Sequence, residues 1–264
     1  MHGRVITTLL GVSLVLLPSL SHAETCAASS EKHRVALLEL YTSEGCSSCP
    51  PADVYLSRLE QDGISRDKVV PLSMHVDYWN YIGWKDPYSD PVYTKRQREV
   101  AWRNRLSSMY TPQMVLNGAD YRGWRRLNLS SLLKQLNSQA ANASMKMDWQ
   151  SLGKGEASVS VDINAQLADS QPLGESVLHV MLYENNLVSE IEAGENNGRT
   201  LKHDYVVRKM YQTAFKGEAK LSTQVKFNLA DSYNTDELGM AVFVQNKRSG
   251  EILQAMASPM GCKR

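Results

Sequence analysis

The chain has 264 residues, of which 42% are hydrophobic and 22% charged, with a formal net charge of +1. That balance offers no electrostatic case for nucleic-acid binding and fits an ordinary globular protein. The length accommodates two domains more comfortably than one.

Residues 1–23 read as a secretory signal. "MHGR" supplies the positive start, "VITTLLGVSLVLLPSL" the apolar run and "SHA" a small final residue, so cleavage is expected after Ala23. An uncleaved anchor is the alternative, but the run is short for a span of about 20 apolar residues. No later stretch is long and apolar enough to cross a bilayer, so the mature chain is expected to be periplasmic or secreted, with no membrane span. "HAET", just before Cys26, lacks the apolar-small pattern of a lipid-modified N-terminus.

From residue 24 to 144 strand-like and helix-like patterns alternate. "VALLELYT" (35–42) is a nearly continuous apolar run suited to a central strand, and "PPADVYLSRLEQDG" opens with prolines fit for a first helical turn. A strand is expected over 68–79, a helix over 90–106 with Asp90 as cap, a short strand over 111–118 turning at Asn117–Gly118, and a helix over 128–141. "YRGWRR" (121–126) reads as a solvated turn. From 145 to 264 the pattern becomes β-rich, with strands expected at 156–167, 176–184, 223–230, 240–246 and 251–258. Residues 205–215 fit strand or helix equally. The expected fold class is therefore an α/β domain followed by a mainly antiparallel β-sandwich.

Four cysteines, Cys26, Cys46, Cys49 and Cys262, allow three pairings. Cys46 and Cys49 are local partners, which leaves Cys26 and Cys262 as a candidate structural bridge or as two free terminal thiols. In "YTSEGCSSCPPAD" (41–53) the pair sits between a strand and a helix. Unpaired N–H groups and the positive helix end would stabilise a Cys46 thiolate, making Cys46 the attacking sulfur and Cys49 the resolving one. Glu39, in the apolar run before the motif, is the candidate base for Cys49, whereas Glu44 reads as a solvated loop residue. A cis bond at Thr111–Pro112 would face the cysteines; without fold context a trans bond is the default.

Four stretches carry a resemblance over essentially the whole mature chain: "LELYTSEGCSSCPPAD" (38–53), "HVDYWNYIGWKDPY" (75–88), "YTPQMVLNG" (110–118) and "GENNGRTLKHDYVVR" (194–208). They resemble the secreted thioredoxin-like family catalogued as domain of unknown function 1223. The resemblance implies a thioredoxin-like fold for the N-terminal domain and a thiol–disulfide role. By position it puts the redox pair at Cys46 and Cys49 and the cis-proline at Pro112. Asn80 departs from it, since an acid is expected after Tyr-Trp.

His75, Asp77, Trp79, Trp84 and Thr111 are expected to line a substrate groove. For His75 the competing role is satisfying loop backbone. Arg199, His203, Asp204 and Arg208 are expected to buttress a domain interface or to close over the site. Three functions compete. The first is an exported thiol–disulfide oxidoreductase with no cofactor or metal, acting with a redox partner on thiol- or disulfide-containing proteins or small thiols. The second is a copper-binding protein using Cys46, Cys49 and His75. The third is a binding module in which the motif is a permanent disulfide.

Overall fold

The computed structural model describes residues 24–262 apart from 170, 172 and 173. The expected signal segment lies outside the described residues. β1 (Thr25–Ser29) is followed by β2 (Ala36–Thr42), which is buried along its whole length as a mid-sheet strand must be. α1 (Pro50–Ser57) begins on the proline pair, whose fixed φ suits a first turn. β3 (Val69–His75) is buried throughout, and α2 (Pro91–Arg103) is capped by the Asp90 carboxylate, which accepts from Val92 N–H. β4 (Gln113–Leu116) and β5 (Ala119–Asp120) form a hairpin about Asn117 and Gly118, both at positive φ. A side chain at Gly118 would collide with the Gly250 carbonyl, so glycine is required there. α3 (Leu129–Asn137) completes the helices. The remaining strands are β6 (Ala143–Gln150), β7 (Ser158–Leu167), β8 (Ser176–Glu184), β9 (Leu187–Glu190), β10 (Thr200–His203), β11 (Val206–Ala214), β12 (Lys220–Asn228), β13 (Leu238–Asn246) and β14 (Ile252–Pro259).

These strands do not form an α/β thioredoxin-like domain followed by a separate sandwich, and that expectation is corrected. Among the described residues 41% are in strands and 15% in helices, which is a β-rich fold. One eight-stranded mixed sheet runs β14-β13-β8-β11-β3-β2-β4-β5 through both halves of the chain. The seam is the parallel pairing of Val206 with Ser73, where Ser73 N–H donates to the Tyr205 carbonyl at 2.8 Å. A second, antiparallel sheet runs β1-β6-β7-β12, and β9 and β10 form a separate hairpin.

The shared strands explain why the two halves cannot be separated by pattern alone. In β13, Ala241 and Phe243 join the core that contains β2, β3 and the helices, while Met240, Val242 and Val244 join the core under the four-stranded sheet. β8 divides in the same way, with Met181 and Tyr183 on one face and Leu178, Val180 and Leu182 on the other. Cys26 on β1 is bonded to Cys262, closing a sequence separation of 236 residues.

Candidate functional site

β2 delivers the chain into the cysteine loop, and Cys46 and Cys49 are bonded to each other immediately before α1. Both are buried, at 1% and 0% exposure, so neither sulfur is open to bulk solvent. The surroundings of Cys46 are polar: Ser48 Oγ lies 3.4 Å from its Sγ, and Asn196 Nδ2 donates to the carbonyls of Glu44 at 2.7 Å and Cys46 at 3.1 Å. Glu195 accepts from Ser47 N–H at 3.0 Å. The segment 194–199 therefore straps the motif. Beside it, a cleft of about 650 Å³ is lined by Ser48, Tyr110, Thr111, Pro112, Trp124 and other residues, and the Thr111–Pro112 bond is cis.

The expected crown of free N–H groups around Cys46 is largely spent. Pro50 and Pro51 carry none, Ala52 and Asp53 donate to the Cys49 carbonyl, and Cys49 donates to the Cys46 carbonyl. The residue before Gly45 and Cys46 is a carboxylate paired with an imidazole. Glu44, expected to be solvated, is 0% exposed; its Oε2 accepts from Trp84 Nε1 at 2.8 Å, and its Oε1 lies 3.2 Å from His203 Nε2.

Around Glu44 a buried polar cluster gathers from distant segments. His75 Nδ1 lies 2.7 Å from Asp86 Oδ2, which also accepts from Glu44 N–H. Asp53 Oδ2 accepts from Thr42 Oγ1 at 3.1 Å, and the His75 and His203 rings cross edge-to-face at 4.9 Å. Burial opposes charge on Asp86, but His75 and two backbone N–H groups outweigh it and its pKa is lowered. Burial likewise opposes charge on His203, yet Asp53 and Glu44 outweigh it and raise its pKa to about 10. Asp53, His75 and His203 are the described residues whose possible ligand atoms converge.

The other expected residues are dispersed. Glu39 does not face the cysteines: alternation along β2 puts it on the face opposite Thr42, where Arg96 Nε (2.7 Å) and Tyr41 OH (3.1 Å) donate to its Oε1. The base role assigned to it has no geometric support. Of the expected groove, Thr111 lines the cleft beside the cis-proline Pro112, and Trp79 Nε1 donates to Thr111 Oγ1 at 2.7 Å. Asp77 is tied to Thr94 on α2, and His75 and Trp84 belong to the buried cluster. Arg199 donates to Asn196, Asp204 accepts from Asn186 N–H, and Arg208 lies 3.2 Å from Glu184 between Tyr88 and Tyr233. The copper set of Cys46, Cys49 and His75 is not assembled, because the sulfurs are bonded to each other and His75 converges with Asp53 and His203. Glu44, Asp53, Asp86 and Asn196 were not singled out as functional. The signal that could have found the last two is their place inside the stretches "WKDPY" and "GENNGR".

Residues 37–245 match the family described as "Protein of unknown function (DUF1223)". The chain belongs to this family. The match spans the cysteine motif, His75, Asp86 and His203, so the DUF1223 region holds the whole cluster. No curated protein matches the chain. Among solved structures it is similar to protein AGR_C_4864 of Agrobacterium tumefaciens, with 26% identity over 89% of this chain and 97% of that one and a TM-score of 0.55. HBP35 of Porphyromonas gingivalis shares the fold at 16% identity, covering 88% and 76% of the two chains with a TM-score of 0.62. Among the described residues no helix is long and apolar enough to cross a membrane.

Proposed function

We propose that this protein is an exported thiol–disulfide oxidoreductase and that Cys46–Cys49 is its exchanging pair. The observation that carries the reading is a three-apart cysteine pair at a helix entry, with Ser48 between the sulfurs lining a cleft whose wall includes Thr111 and Pro112. The spent helix start sets the direction. With the N–H groups at the start of α1 absent or already paired, the Cys46 thiolate gains little stabilisation, so the pair is poised toward the disulfide.

In the reduced chain, Cys46 thiolate attacks a substrate disulfide R–S–S–R′, forming Cys46–S–S–R and releasing R′S⁻. Cys49 thiolate then attacks Cys46 Sγ, closing the Cys46–Cys49 bond and releasing RS⁻. Two electrons pass to the substrate, and an external dithiol restores the pair. The first step requires Cys46, 1% exposed in the closed pair, to become accessible to the substrate. Substrates are disulfide-bearing proteins or small disulfides that fit the cleft.

Burial of both sulfurs favours a second reading, a permanent structural disulfide. One experiment separates the two. Reduced Cys49→Ser chain is mixed with a model disulfide peptide, and intact mass is read under native conditions. The redox reading expects one trapped peptide per chain at Cys46, absent in Cys46→Ser. No adduct without denaturant would favour the structural reading.

A further inference from the structure

We infer that Asp53, His75 and His203 form a buried site for one first-row divalent cation of the zinc class. Three elements bring it together: α1 carries Asp53, the end of β3 carries His75 and the end of β10 carries His203. Their exposures are 6%, 0% and 2%, so all three are withdrawn from water. The atoms Asp53 Oδ1, His75 Nε2 and His203 Nδ1 have no hydrogen-bond partner among the described residues. Buried polar atoms are paired as a rule, and unpaired atoms on three converging side chains call for a common partner.

One ligand atom from each of the three side chains lies within 4.8 Å of the other two, and His203 Nδ1 is 3.8 Å from Asp53 Oδ1. Ligand atoms about 2.0–2.2 Å from a tetrahedral zinc sit roughly 3.3 Å apart, so modest side-chain movements close the set around an ion. The outer contacts are those a ligating histidine needs. His75 presents Nδ1 to Asp86, leaving Nε2 unpaired, and His203 presents Nε2 to Glu44, leaving Nδ1 unpaired. Carboxylate partners of this kind fix the ring orientation and raise ligand basicity. Thr42 holds the other oxygen of Asp53.

Charge points the same way. Glu44, Asp53 and Asp86 are three buried carboxylates whose only ion-pairing partners among the described residues are these two imidazoles. An uncharged nitrogen pair with one carboxylate oxygen suits zinc, cobalt or iron(II), and it lacks the thiolates that select copper(I). The alternative, a proton shared between His203 and Asp53, leaves His75 Nε2 with no partner. The inference does not depend on whether Cys46 and Cys49 exchange.

The test uses full chain stripped with a chelator and titrated with Zn²⁺ against a chromophoric competitor, then with Co²⁺ followed by visible absorption. The expected result is one equivalent bound tightly, a rise in melting temperature and a tetrahedral or five-coordinate cobalt spectrum. His203→Gln is expected to weaken zinc binding by at least about 100-fold, and Glu44→Gln by about tenfold through loss of ring orientation. The wild-type titration does not depend on how the variants fold. Zinc held no more tightly than by exposed side chains, or an octahedral cobalt spectrum, would overturn the proposal. So would undiminished affinity in folded His203→Gln.

Discussion

The Cys26→Ala/Cys262→Ala double variant is expected to melt about 10–20 °C below the parent chain under non-reducing conditions. The bond joins positions 236 residues apart. In the chain-entropy model a loop that long is worth about 5 kcal/mol, against about 2 kcal/mol for the short loop closed by Cys46 and Cys49. Native domains hold only about 5–15 kcal/mol in total. The terminal bond is also well placed: β1 pairs along β6 from Thr25↔Gln150 to Ser29↔Lys146, and Cys26 packs in the second core. Losing the bond frees β1 from the end of the chain following β14. Thermal unfolding followed by circular dichroism checks this, and a fall under about 3 °C would show that the bridge is dispensable. The terminal bond therefore contributes more than twice as much to stability as the Cys46–Cys49 bond.

Glu39→Gln is the second large effect, with an expected loss of about 3–5 kcal/mol. Arg96 is 4% exposed, donates to Glu39 at 2.7 Å and to Gln245 at 3.3 Å, and lies 5.1 Å from the centre of the Phe243 ring. Burial opposes the Arg96 charge, but Glu39 and Tyr41 more than offset it and raise its pKa. Removing the carboxylate charge leaves that cation uncompensated in a dry interior. Glu39→Leu combined with Arg96→Met is expected to recover at least half of the loss, because a volume-matched apolar pair needs no compensation. Urea unfolding of the three chains measures both effects. A catalytic Glu39 would give the opposite pattern, a Glu39→Gln chain of unchanged stability with slowed exchange.

The local elements were legible where one physical rule decides them. Asp90 caps α2, Asn117–Gly118 turns the β4–β5 hairpin, and "SVSVDINAQL" alternates because only one face of β7 is buried. Residues 205–215 resisted because β11 mixes buried and exposed positions with no clean period. β6 was missed although "ASMKMDWQ" alternates cleanly. The sheet topology was out of reach for a different reason. Periodicity reports which faces are buried, and β8 and β13 are buried on both, so nothing local reveals that β11 pairs with β3.

The site divides similarly. The cysteine spacing and Pro112 were readable, whereas the cluster of Glu44, Asp53, His75, Asp86 and His203 joins segments up to 159 residues apart. Glu39 was misassigned by one fact of strand geometry, the face on which an odd-numbered residue of β2 falls.

The central claim is that the Cys46–Cys49 bond opens while the fold stays intact. The direct measurement equilibrates native wild-type chain in dithiol–disulfide buffers of graded potential, traps thiols by alkylation and maps them by mass. Two thiols, at Cys46 and Cys49, are expected to appear together between about −300 and −200 mV, with Cys26–Cys262 still closed and the circular dichroism spectrum unchanged. A Cys46–Cys49 bond that stays shut until the chain unfolds would contradict the account.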